Sequence, residues 1–107
     1  MADAIFVLTT VADRAAAETL AQALLARRLA ACVNVGAPVE SLYHWRGRIE
    51  TGQETPLVIK TRAALYAKVE AAIRELHAYE LPEIIAIPVV QGYAPYIGWL
   101  ADATTLR

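Results

Sequence analysis

The chain has 107 residues, of which 57% are apolar and 20% charged, and a net charge of −1 at pH 7. That length is expected to form one domain over residues 1–107, and the balanced charge argues against a nucleic-acid partner, which needs a basic face. No stretch approaches the roughly 18–20 apolar residues that span a membrane, and Cys32, the single cysteine, rules out an intrachain disulfide.

The apolar share exceeds the roughly 45–50% of an average domain. A chain this short buries only about two thirds of its unfolded surface, so association with other copies is the expected sink for the surplus. Ala2-Asp3 offers no basic n-region, so no signal peptide is expected. With a lone thiol, the expected setting is the reducing cytoplasm.

Ala4–Thr9 is a continuous apolar run and is predicted to be a central strand covered on both faces. Asp13 is a good N-cap for a helix whose Ala17, Leu20, Ala21, Leu24 and Leu25 share one face. Arg27 and Arg28 close that helix against the negative end of its dipole. Ala30–Val35 is a second short strand, stopped by Gly36 and Pro38.

From Val39 to Glu50 the sequence alternates, with Val39, Tyr43, Trp45 and Ile49 on one face and Glu40, His44, Arg46, Arg48 and Glu50 on the other. This is about twice the usual strand length. Thr51-Gly52 is the predicted turn, and Pro56–Thr61 the returning strand of a long hairpin. Leu65, Val69, Ala72, Ile73 and Leu76 mark a second helix, with Glu70 and Arg74 as an i,i+4 pair on its wet side. Pro82 closes this region. Ile84–Val90 is the last strand, and Pro88 puts it at a sheet edge. Ala94–Ala103 suits a short terminal helix presenting Tyr96, Ile97, Trp99 and Leu100.

The order predicts an α+β fold: a ferredoxin-like βαββαβ two-layer sandwich with a long hairpin between its second and third strands and a short C-terminal helix. A hairpin this long overhangs a small sheet. Its unpaired edges would aggregate unless covered, which points to pairing with a neighbouring subunit in a closed oligomer.

The densest chemistry lies in His77-Ala78-Tyr79-Glu80-Leu81-Pro82-Glu83. Imidazole and carboxylates there could hold a borderline metal ion such as copper or zinc; alternatively, His77 could simply cap a helix. Cys32, in an apolar strand, is either a reserve ligand or a small buried hydrophobe. Lys60 follows Leu57-Val58-Ile59, and a lysine in a central strand suggests a pocket, with Glu54 and Glu83 as possible partners. Tyr43, Trp45 and Trp99 are aromatic anchors suited to an interface. No Cys-x-x-Cys, HExxH, P-loop or GxGxxG is present.

Five blocks of the chain together resemble the CutA divalent-cation-tolerance family. They are Ala31–Asn34, Ser41–Glu50 with Glu54, Ile59–Thr61, His77–Ile85 and Tyr96–Leu100. The resemblance implies a ferredoxin-like subunit, a homotrimer with intermolecular strand pairing, and a role in tolerance of copper and other divalent cations. It also implies kinship with the trimeric PII signalling proteins, which bind small effectors between subunits. Some members carry a cysteine near the end of the first strand and a His-His pair after the second helix. Here Thr9 and Leu76-His77 stand in those places, so the resemblance carries over only one imidazole for copper.

The expected function is therefore that of a non-enzymatic, trimeric protein that binds a divalent cation near His77, Glu80, Glu83 and Cys32. The alternative is a PII-like module binding a small anionic molecule at a cleft of Tyr43, Trp45, Glu54, Lys60, Tyr79 and Trp99, with Tyr79, Pro82 and Glu83 forming one wall. An acylphosphatase-like hydrolase is set aside, because Thr9–Asp13 lacks the cradle an anion needs.

Overall fold

The computed structural model describes residues 3–105. The strands are β1 (Ala4–Val11), β2 (Cys32–Val35), β3 (Val39–Trp45), β4 (Arg48–Arg62) and β5 (Ile85–Pro88). The helices are α1 (Arg14–Ala26), α2 (Tyr66–Leu76) and α3 (Ala94–Ala103). The five strands form one antiparallel sheet. This is the expected mixed α+β architecture. β1 is central, between β4 and the edge strand β5. β2 and β3 follow one another along the far side of β4.

One face of the sheet carries the core. Val7, Val11, Leu57 and Ile59 project from it onto Ala17, Leu20 and Leu24 of α1 and Val69, Ala72 and Ile73 of α2. Asp13 caps α1 as its residue type requires, accepting from the Ala16 amide at 2.9 Å. Leu25 and Leu76, placed by periodicity on the buried faces, are each 39% exposed at the helix ends. Glu70 and Arg74 form no ion pair among the described residues. The helix pair is tied instead by Arg27 to Glu75 at 3.3 Å.

The other face departs from expectation. β1 is covered on one side only: Ala4 apart, the residues that alternate with its buried ones (Phe6, Leu8 and Thr10) are half-buried. Val58 and Lys60 of β4 and Ile85 and Ile87 of β5 lie beside them in register, and the two isoleucines are half exposed. α3 reaches only the Ala4–Arg62 end of this face. Leu100 is buried there, and Arg62 donates to the Thr104 hydroxyl at 2.9 Å and the Thr104 carbonyl at 3.0 Å. The continuous apolar run of β1 is thus matched by helices on one side and left open by the chain on the other.

The hairpin turn is also displaced from its predicted place. The strand from Val39 ends at Trp45, and Arg46-Gly47 turns back into β4. Both turn residues have positive φ, 51° and 77°, the two-residue geometry whose twist matches that of paired strands. Thr51 and Gly52 lie inside β4, opposite Leu42 and Ser41. Ile49 consequently faces His44 across the ladder and shares a side with Leu42, not with Tyr43 and Trp45. The overhang survives the correction. β4 has 15 residues, and Arg48–Glu54 pairs with β3 but not with β1. Seven residues of strand project roughly 23 Å, leaving unpaired edges on both strands.

Candidate functional site

His77 closes α2, its amide bonding the Ile73 carbonyl at 2.8 Å. From there its ring reaches back to β1. Nε2 lies 2.6 Å from the Thr10 carbonyl, and Nδ1 accepts from the Tyr79 amide at 3.1 Å. The partners fix the tautomer. Nδ1 holds a lone pair for an N–H, so Nε2 carries the proton and donates to the carbonyl. Both nitrogens are engaged, and neither has a free lone pair for a metal. The ring also packs on Tyr79, with centroids 4.5 Å apart. His77 is therefore the hinge pin that holds the 79–83 segment against the sheet.

That segment walls a cleft of about 830 Å³. The hairpin side is built by Ser41, Leu42, Tyr43, His44, Trp45 and Glu54; Tyr79, Glu80, Leu81, Pro82 and Glu83 face it, and Thr10 lines it from β1. Antiparallel register explains the assembly: Tyr43 and Trp45 point to the same side as Glu54, four and six pairs along the same ladder. The Glu54 carboxylate accepts from the Thr10 hydroxyl at 3.1 Å. Partial burial, and then the same carboxylate beside its hydroxyl, push the Tyr79 phenol up to about 12. At the rim, the Arg46 guanidinium lies 5.3 Å over the Trp45 ring and 3.1 Å from Glu80.

Of the residues singled out in sequence, Tyr43, Trp45, Glu54, Tyr79, Glu80 and Glu83 line this cleft. Lys60 does not. It sits on the same sheet face but six residues along β4 from Glu54, roughly 20 Å away, with its ammonium 5.5 Å above the Phe6 ring. Cys32 pairs with Lys60 in register and is equally remote. Trp99 lies on α3, stacked beside Tyr96 at 5.4 Å. Among the described residues, no three of His, Cys, Asp and Glu approach closely enough to hold a metal ion within one chain. Thr10, Ser41, Leu42, His44 and Leu81 line the cleft without being among the expected site residues; the period-2 rule puts Thr10 and Ser41 on the cleft side, whereas His44, expected on the opposite strand face, reaches the cleft as well.

Comparison with known proteins gives the lineage. The CutA1 divalent ion tolerance protein family matches residues 5–103. The chain belongs to the CutA1 family. The divalent-cation tolerance protein CutA of Thermus thermophilus is 40% identical over 98 residues, which cover 92% of this chain and 95% of that one. The solved CutA of Archaeoglobus fulgidus, described as a periplasmic divalent cation tolerance protein, superposes with a TM-score of 0.93 at 33% identity, covering 95% of this chain and 99% of the other. CutA1 of Oryza sativa superposes equally well, at 37% identity over 96% of this chain. The chloroplastic CutA of Arabidopsis thaliana is 38% identical over 100 residues, and this chain spans about half of its length. CutA1 proteins thus keep this fold while differing in the compartment their names carry. Among the described residues here, no helix is long and apolar enough to cross a membrane.

Proposed function

We propose that this CutA1 protein is a homotrimeric, non-enzymatic binding protein that takes up divalent cations weakly at the cleft between the hairpin and the 79–83 segment. The observation that carries this reading is the set of carboxylates that line the cleft. His77 is tied at both nitrogens and Cys32 is distant, while Glu80 and Glu83 line an open cleft with half-buried Glu54. Carboxylates alone favour the harder ions, magnesium, calcium or manganese, over copper or zinc. One chain supplies too few converging ligands for tight binding. The cleft lies beside the overhanging hairpin edges, so neighbouring copies would complete it. The open sheet face of Phe6, Leu8, Ile85 and Ile87 is the apolar surface such copies would cover. A cytoplasmic setting is part of the same proposal, resting on the lone, half-buried thiol.

The test is calorimetric titration of manganese(II), zinc(II) and copper(II) into the full chain, its His77→Ala variant and a Glu80→Gln/Glu83→Gln variant. The expected result is weak, manganese-competent binding that is lost in the carboxylate variant. Equal binding by the carboxylate variant and the wild type overturns the reading. A sedimentation measurement giving a monomer at micromolar concentration removes the trimer.

The anionic, PII-type alternative finds less support in the geometry. Lys60, its intended anchor, is about 20 Å from Glu54 along the strand, and no lysine or arginine lines the cleft.

A further inference from the structure

The 79–83 wall of the cleft is held by few bonds. No backbone-to-backbone hydrogen bond engages residues 78–83 among the described residues. Glu80 reaches Arg46 at 3.1 Å, but both side chains are largely exposed, and such pairs contribute little. The firm tie is His77. Its Nε2–H donates to the Thr10 carbonyl of β1 at 2.6 Å, and its Nδ1 accepts from the Tyr79 amide at 3.1 Å. Through this one ring the first residue of the wall is bonded to the sheet.

The tie works in one protonation state only. A neutral imidazole has one donor and one acceptor, whereas an imidazolium has two donors and no acceptor. A second proton on the ring therefore sits on Nδ1, where it meets the Tyr79 N–H instead of receiving it. The Thr10 bond survives, because Nε2 remains a donor, and the Tyr79 bond is lost. Histidine is the side chain whose charge ordinarily changes between about pH 5 and 8. The other titratable groups nearby offer the amide no substitute acceptor. Tyr79 packs on the ring, and its hydroxyl has Glu54 of β4, Tyr43 of β3 and Asp13 ahead of α1 as neighbours. Glu54 is engaged by the Thr10 hydroxyl and Asp13 by the Ala16 amide. On α2, Arg74 and Glu75 precede the ring, with Glu75 paired to Arg27. Glu80 is paired to Arg46, and β1 faces the ring with neutral Thr10.

We propose that His77 is an acid-operated latch: protonation of its ring keeps the bond to β1 and releases the 79–83 wall, loosening one side of the cleft. The latch acts on the wall itself, whether or not the cleft takes a divalent cation.

The test is nuclear magnetic resonance of the isotope-labelled full chain, titrated from about pH 8 down to about pH 5. Above neutrality the His77 ring nitrogens are expected to show the Nε2–H tautomer. As the ring takes up its second proton, the Tyr79 amide should shift with the same midpoint. Amide exchange in the 79–83 segment, corrected for the intrinsic pH dependence of exchange, should rise by up to about tenfold, while the β1 amides stay protected. His77→Gln, whose side-chain amide still donates and accepts but does not titrate, should abolish this pH dependence. An Nδ1–H tautomer above neutrality, a ring still neutral at about pH 5, a Tyr79 amide that ignores the ring's titration, or the same wall transition in His77→Gln overturns the proposal. Should His77→Gln fail to fold, the wild-type titration decides by itself.

Discussion

Two threonines on the same buried face of the sheet should respond in opposite directions to the same substitution. Thr9 of β1 is 1% exposed, and its hydroxyl has no hydrogen-bond partner among the described residues. Thr61 of β4 is fully buried, and its hydroxyl donates to the Leu29 carbonyl at 2.7 Å. Valine is nearly isosteric with threonine, so neither change opens a cavity. Thr9→Val removes a desolvated hydroxyl that has nothing to bond, and should stabilise by about 1–2 kcal/mol. Thr61→Val leaves the Leu29 carbonyl without its donor, and should destabilise by a similar amount, about 1–2 kcal/mol. For a domain of this size each kcal/mol moves Tm by about 4–8 °C. The assay is equilibrium guanidinium unfolding followed by circular dichroism, at one fixed protein concentration because association would enter the result. The reasoning is refuted if Thr9→Val destabilises the fold, or if the two variants shift in the same direction.

Arg28 occupies the left-handed position after α1 with φ 56°, and the bonds Arg28 N–H to Leu25 O and Leu29 N–H to Leu24 O form a Schellman stop. Arg28→Gly should therefore stabilise by up to about 1 kcal/mol, less the exposed bond to the Ala103 carbonyl, read as a rise in the unfolding midpoint. Gly47→Val should lower that midpoint by about 1–2 kcal/mol, because φ 77° in the hairpin turn suits glycine and not a β-branched residue. Ile73→Ala, at a fully buried position between helix and sheet, should cost about 2–5 kcal/mol in the same assay. The Tyr79 phenol, raised to about 12 by partial burial and then by Glu54, favours the fold fully below pH ~10, the unfolded value, and this contribution is lost as pH rises through 12. The wild-type minus Tyr79→Phe absorbance titration at 295 nm should have its midpoint near 12 and fall in Glu54→Gln; a midpoint at the ordinary value near 10 would show that the carboxylate is not beside the hydroxyl.

Local pattern sufficed for most of the fold. Asp13 announced α1, the 3.6-residue spacing of Val69, Ala72 and Ile73 announced the buried face of α2, and Pro88 put β5 at an edge, because each of these signals acts within a turn or two of backbone. The turn at Arg46-Gly47 was misplaced. Thr51-Gly52 looked equally suitable in composition, and a strand period of two cannot say where an alternating run reverses. That error carried Ile49 to the wrong face. At the site, the carboxylates and aromatics were readable as a group, but the role of His77 was not. Residue type offers an imidazole as a ligand, and only the approach of the Thr10 carbonyl and the Tyr79 amide shows that its nitrogens are already engaged.

The sequence by itself determined the element order, the α+β class, the overhanging hairpin and the polar composition of the 77–83 segment. These follow from periodicity, caps and chain length, which are properties of neighbours in the chain. Tertiary structure decided that Glu54 meets Tyr79, that Lys60 and Cys32 stand apart from both, and that one face of β1 is left uncovered. Those depend on strand register, on distance along β4 and on which sheet face the helices occupy, and a shift of one residue in register would send Glu54 to the opposite face from Tyr79.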